Sequence, residues 1–262
     1  MQFEGTLTDL AFAAAPKVNA IFPEYLTDPS IYICPSDPNG TVDYLKWTQE
    51  EIDQRSPIPP GPDPQPGDWQ IGYTGGPIWA DLGVRRTDAS YVYFGWFLDL
   101  LADDPALLAA PSAFPMLEQF ITIPPETENL GVPIQLAKGL ENAALSYFGM
   151  GDNPDENAID NDIECIYEGT PYGNGNGRLI YRLREGIERF AITDINNPGA
   201  SAQAQSNIFV MFDIIAADSQ NFNHIPGGSN VLYMDGHVEF LKYPVQQPIN
   251  RVVAVLVGGF FD

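Results

Sequence analysis

Apolar and polar positions in this chain change over in short bursts, which predicts many short elements joined by turns. The clearest burst is Phe222 to Tyr243, FNHIPGGSNVLYMDGHVEFLKY, where two runs of β-formers flank Asp235-Gly236. Asp-Gly between such runs predicts a hairpin with a two-residue type I′ turn, whose twist suits the strands it joins. That register pairs Met234 with His237, Tyr233 with Val238, Leu232 with Glu239 and Val231 with Phe240. Val231, Tyr233, Val238 and Phe240 then share one apolar face, the core side of an antiparallel sheet.

The same reading extends along the chain. Residues 206–216 (SNIFVMFDIIA) predict a buried strand. Val252 to Phe261 (VVAVLVGGFF) is too short to span a membrane and predicts a buried C-terminal strand ending in a Gly258-Gly259 bend. Pro133 to Phe148 predicts a helix, with Pro133 in its first turn and Leu136, Leu140, Ala144 and Phe148 as its apolar stripe. Residues 6–26 read as a helix with Leu7, Leu10, Ala14, Val18 and Phe22 on one side, interrupted at Pro16. Ile31 to Cys34 reads as a short strand followed by a turn, and residues 42–55 as a short amphipathic helix. Ala89 to Leu101 (ASYVYFGWFLDLL) is the most apolar interior stretch and predicts core. Arg178 to Phe190 fits a helix through Leu179, Leu183, Ile187 and Phe190, yet RLIYRL also fits a strand, and Gly186 breaks the helix. Six prolines between Ser56 and Asp68 predict an extended surface loop.

Composition narrows the class. Of 262 residues, 44% are hydrophobic and 12% aromatic, which indicates a folded protein. Gly and Pro number 24 each, so loops are many. The net charge of −23 repels phosphate backbones and anionic lipid headgroups, which argues against nucleic-acid and membrane-surface partners. It suits a soluble acidic surface or one that binds divalent cations. Cys34 and Cys165 show no metal-type spacing. Two buried thiols and one disulfide are both compatible with them; the disulfide would close a loop of about 130 residues and stabilise by about 4–5 kcal/mol.

Three groups of residues could carry chemistry. The run from Asp152 to Glu168 holds seven carboxylates and no basic residue. Asp152, Asp155, Asp160 and Asp162, with Asn153 and Asn161, are oxygen ligands of the kind Ca²⁺ takes, although the EF-hand frame is absent. Asp213, His224, Asp235 and His237 form a second group, able in principle to bind Zn²⁺ or to act as acid and base. No nucleophile elbow, H-E-x-x-H or phosphate loop accompanies them, so a hydrolase using Asp213, His224 and Asp235 is the weakest reading. His224 suits a structural role, tying the Pro-Gly-Gly turn to the hairpin. Arg178, Arg182, Arg184 and Arg189 are four of twelve basic residues and are expected to pair with Glu185, Glu188 or the acidic run, or to form a docking patch for an acidic neighbour.

The terminal stretch resembles the C-terminal signature of prepilin-type, pseudopilin-like proteins: a His, nine residues, then Asp-Gly-His-Val. Here His224 and Asp235 are separated by ten residues, the extra one falling in the Ile225 to Gly228 turn. Its residues are His224, Gly227, Gly228, Asp235, Gly236 and His237. FPEYLTDPSIYICPSDP (Phe22–Pro38), SYVYFGW (Ser90–Trp96) and YRLREGIERFAITDINNP (Tyr181–Pro198) strengthen the resemblance.

The resemblance implies an α+β fold. A pilin-like antiparallel sheet head is packed by helices, carries the C-terminal Asp-Gly hairpin and bears long loop insertions. Residues 1–262 are expected to form one head domain, with residues 40–160 as a loop-rich subdomain. The resemblance further implies a non-enzymatic subunit of a type II secretion or type IV pilus-like fibre, periplasmic or at the cell surface. Its partners would be other pilin or pseudopilin subunits, and its membrane attachment an N-terminal helix cut by a prepilin peptidase. The chain lacks that helix and is expected to be the head alone. Ca²⁺ ordering the acidic loop is the implied cofactor. An oxidising compartment favours the Cys34–Cys165 disulfide. The alternative function is a secreted module binding glycans or protein through Trp47, Trp69, Trp79 or Tyr172.

Overall fold

The computed structural model describes residues 2–6, 9–16, 18–54, 63–71, 86–117, 121–123, 128–148, 160–191, 203–217, 219–225 and 227–260. The fold is mixed α+β with mostly antiparallel pairing, four helices among the described residues and no barrel. The chain divides into two compact units, Met1–Phe94 and Gly95–Asp262. The boundary falls inside the apolar stretch from Ala89 to Leu101, whose Val92, Phe94, Trp96, Phe97, Leu98 and Leu101 are all buried, as the pattern predicts.

In the first unit, β1 (Gln2–Thr6) and β2 (Asp9–Ala13) form an antiparallel pair with Gln2 opposite Ala13. The helix expected over residues 6–26 is therefore limited to one turn, α1 (Val18–Ile21). Pairing with a neighbouring strand outweighs a local helical period, because propensity is the weaker term. Ala13, Ala14 and Ala15 are buried. The Ala14 N–H donates to the buried Asp88 carboxylate at 3.0 Å and its carbonyl accepts from the Tyr93 N–H. Ile31 to Cys34 is not the expected strand. Asp28 caps Ser30, Pro29 starts the turn, and Pro29–Tyr32 closes as a 3₁₀ turn. Residues 42–55 divide into a 3₁₀ turn, Val42–Leu45, and α2 (Gln49–Gln54). Thr48 and Glu51 exchange hydrogen bonds as a capping box at the start of α2. The unit ends with β3 (Tyr91–Val92).

In the second unit, β4 (Leu108–Ala109) pairs with β5 (Val132–Pro133), which runs into α3 (Ile134–Phe148). Leu136, Leu140 and Ala144 are buried along one side of α3, as expected, together with Ile134, Ala137 and Ala143. The short strands β6 (Ile163–Glu164), β7 (Ile166–Tyr167), β8 (Thr170–Pro171) and β9 (Leu179–Ile180) pair β6 with β9 and β7 with β8. A carboxylate and two amides knit this region. Asp99 Oδ1 accepts from Gln135 Nε2 and Asn174 Nδ2, both at 2.8 Å, and Gln135 Oε1 accepts from the Asp99 and Leu100 N–H groups.

The main sheet runs β12 (Val238–Lys242), β11 (Gly228–Tyr233), β10 (Phe209–Asp213), all antiparallel. The strand expected over 206–216 is thus present. The last element, α4 (Arg251–Gly258), overturns the expected terminal strand. Asn250 Oδ1 accepts from the Val253 N–H at 3.0 Å and caps the helix, whose residues from Val252 to Gly258 are all buried. A wholly apolar run carries no period to distinguish helix from strand, so the cap and the burial decide. No described helix is long and apolar enough to cross a membrane.

Candidate functional site at the C-terminal hairpin

The signature residues meet in the hairpin, but in a different register from the one the turn residues predict. The structure pairs Leu232 with Val238, Val231 with Glu239 and Asn230 with Phe240. The connection has three residues, Met234, Asp235 and Gly236. Gly236 N–H donates to the Tyr233 carbonyl at 2.9 Å, Tyr233 N–H donates to the His237 carbonyl at 3.0 Å, and Gly236 has φ +90°. This is a turn followed by a glycine bulge, the next most common hairpin closure after the two-residue turn.

One extra loop residue moves every side chain of β12 to the other face. Val231 and Tyr233 are buried as expected, now alongside Leu241. Val238 and Phe240 lie on the opposite face, 61% and 48% exposed, which corrects the predicted apolar face. A bulge between Phe209 and Met211 resets β10 in turn. It puts Phe209 and Phe212 together on the buried face, in edge contact at 5.9 Å, and sets Asp213 beside Asn230.

Asp213 is the hub of the other face. Its residue is 3% exposed, and Oδ2 accepts from Asn230 N–H at 2.7 Å and Asn230 Nδ2 at 2.8 Å. His224 Nε2 stands 2.9 Å from the same oxygen and 3.3 Å from Asn230 Nδ2. Ser229 Oγ donates to the Asp213 carbonyl at 3.0 Å. The chain brings His224 there through two backbone bonds: Asn223 N–H to the Ile214 carbonyl, and Gly227 N–H to the His224 carbonyl. The edge of one ring faces the other between His224 and Phe240, with centroids 6.2 Å apart.

Asp235 and His237 form a separate pair at the tip. His237 Nδ1 lies 2.6 Å from Asp235 Oδ1, which also accepts the His237 N–H. The imidazole beside it and that backbone bond hold the Asp235 carboxyl below its usual range. The His237 ring stacks on Tyr233 at 4.5 Å, on the buried-side face, whereas His224 sits with Asn230 and Phe240 on the other. The group Asp213, His224, Asp235 and His237 is therefore two pairs on opposite faces, and they do not converge on one substrate. Asn230 and Ser229 complete the Asp213 site and were not foreseen. The one available signal was two polar residues, Ser-Asn, opening a strand otherwise made of Val, Leu and Tyr.

Gly228 is required here. It has φ +151°, and a Cβ would overlap the Leu241 carbonyl oxygen of the partner strand. Gly227 is less restricted, its nearest neighbour being the Phe240 ring.

Of the acidic run, Asp152 and Asp155 lie outside the described residues. Asp160 and Asp162 meet guanidinium groups: Arg182 Nη2 to Asp160 at 2.7 Å and Arg184 Nη2 to Asp162 at 3.0 Å, with the Arg182 N–H donating to Asp162 Oδ1. Arg178 pairs with Glu164 at 2.8 Å. Arg182 Nη1 also donates to the Gly95 carbonyl, where any side chain at Gly95 (φ +77°) would collide with the guanidinium. Arg178, Arg182 and Arg184 thus pair with the acidic run as expected, whereas Arg189 lies over the Phe190 ring.

The expected Cys34–Cys165 disulfide is absent; both cysteines are buried as thiols. Cys165 is 0% exposed, its Sγ 3.9 Å from the Gln135 carbonyl of α3, and burial pushes the thiol up to about 12. A thiol enclosed in this way offers neither a thiolate nor a path for a second sulfur. Of the residues suggested for sugar stacking, Trp47 is 2% exposed and Lys46 lies over the Trp69 ring at 5.2 Å. Tyr172 packs edge-on against Tyr167, and Trp79 lies outside the described residues. Comparisons with protein-family models, with curated proteins and with solved structures return no match for this chain.

Proposed function

We propose that this chain is the globular head of a pilin- or pseudopilin-like structural subunit, one that assembles with like subunits in a type II secretion or type IV pilus-like fibre at the cell exterior. The observation that carries this reading is the use to which the signature residues are put. His224 locks onto Asp213 and Asn230, Gly228 allows β11 to pass close to β12, and Asp235 and His237 brace the tip. Each holds backbone in place. A motif that serves to fix a C-terminal hairpin suits a packing subunit better than an enzyme. The buried Cys165 thiol is compatible with an oxidising compartment, because a thiol raised to about 12 by burial resists oxidation. Ca²⁺ at the acidic run belongs to the same proposal; in this structure Asp160 and Asp162 are neutralised by Arg182 and Arg184.

The test is the N-terminus of the native protein, read by mass spectrometry together with the gene sequence upstream of Met1. A prepilin cleavage site followed by about 20 apolar residues supports the fibre subunit. A cleaved secretory signal with no apolar helix overturns it.

A further inference from the structure

Three side chains in the second unit stand within hydrogen-bond distance of one another, and they bring an imidazole, a carboxylate and an amide to one point. Asp213 Oδ2, His224 Nε2 and the Asn230 amide form a triangle with edges of 2.9, 2.8 and 3.3 Å. Ligands held at roughly 2.0–2.1 Å from a first-row transition ion stand about 2.9 Å apart in an octahedron and about 3.3 Å apart in a tetrahedron. The triangle therefore matches one face of such a coordination shell. We propose that Asp213, His224 and Asn230 bind one divalent transition-metal ion of the Zn²⁺ or Co²⁺ class.

The donor chemistry fits. An imidazole and a carboxylate suit ions of borderline softness, and an amide oxygen is an acceptable weaker third ligand. Rotating the Asn230 amide by a half-turn puts Oδ1 where Nδ2 now lies, so the amide turns from donor to ligand without moving the backbone. The His224 proton on the Asp213 side shifts to Nδ1, or leaves if the ring is protonated, freeing Nε2 for the metal. The frame is rigid: Asp213 and Asn230 sit on neighbouring strands, Ser229 Oγ holds the Asp213 carbonyl, and the Phe240 ring covers one side of the imidazole. The His224 side chain is 21% exposed, which leaves a route for the ion and its waters. A net charge of −23 raises the local cation concentration. This site stands independently of the fibre reading.

The test is titration of the EDTA-stripped chain with Co²⁺ alone, followed by its visible absorption and by equilibrium dialysis. Wild type is expected to bind one equivalent with an ordered-site spectrum. His224→Gln, which keeps a polar side chain beside Asp213, is expected to bind at least about tenfold more weakly. Asn230→Asp is expected to bind more tightly, and to melt lower than wild type without metal but recover on adding Zn²⁺. Equal affinity in wild type and a folded His224→Gln protein would overturn the proposal. If His224→Gln does not fold, an Asn230→Asp protein with unchanged affinity and no metal-dependent recovery overturns it instead. Failure of wild type to bind Co²⁺ at millimolar concentration also overturns it, whatever the native N-terminus proves to be.

Discussion

At the scale of single residues, Gly228 is the strictest position described. Its φ of +151° and the adjacent Leu241 carbonyl leave no space for a side chain. Gly228→Ala should lower the unfolding free energy by about 3 kcal/mol through strain and displacement of β12. Urea unfolding of the two proteins measures it; equal midpoints would show that the strand relaxes freely. The cysteines allow a second prediction at this scale. Cys34 and Cys165 are buried, and burial raises the Cys165 thiol to about 12. Both should resist a thiol-specific reagent at pH 8 in the native protein and react fully in denaturant. An intact mass two hydrogens lighter would instead reveal a disulfide. Neither the buried thiols nor the Asp213 hub could be read from cysteine spacing or from a lone Asp at a strand end, because burial is a property of what packs around them.

At the scale of elements, the hairpin shows how little sequence is needed to exchange two faces of a sheet. Asp235-Gly236 does mark the turn, and both strands form where the β-formers lie. Whether the loop takes two residues or three is a close energetic choice, and the residue after Gly236 decides it. His237 stacks on Tyr233 and bonds Asp235, which fixes the three-residue closure. The helices divide in the same way. α3 carries a 3.6-residue stripe and was legible, whereas α4 is apolar on every side and was not. Asn250 was the visible clue to α4, a capping residue just before the apolar run.

At the scale of the whole molecule, one buried charge should govern how stability varies with pH. Asp88 is enclosed in the first unit, and burial pushes its carboxyl from 3.8 to about 7, with the Ala14 N–H bond opposing the rise. The folded chain therefore keeps this proton to a higher pH than the unfolded chain does. Below the unfolded value both states are protonated and the contribution is fully present. As pH rises towards 7 the unfolded state ionises first, so stability falls, and above about 7 the loss is complete. Asp88→Asn retains an acceptor for Ala14 and should raise the melting temperature at pH 8 while changing it little at pH 4. An equal shift at both values would mean that the carboxyl does not titrate in this range.

The sequence by itself determined what depends on neighbours along the chain: the turn at Asp235-Gly236, the strand at 209–213, the stripe of α3 and the apolar stretch around Trp96. It also placed the arginines against the acidic run, since so few basic residues among so many carboxylates must find partners. Only the tertiary structure decided which face of β12 is inside, that β1 and β2 pair rather than coil, that the terminal apolar run is helical, and that both thiols are buried. It alone separated the two His–Asp pairs and added Asn230 to one of them. Those outcomes rest on contacts between residues distant in sequence, where burial and pairing outweigh the local preferences that a pattern records.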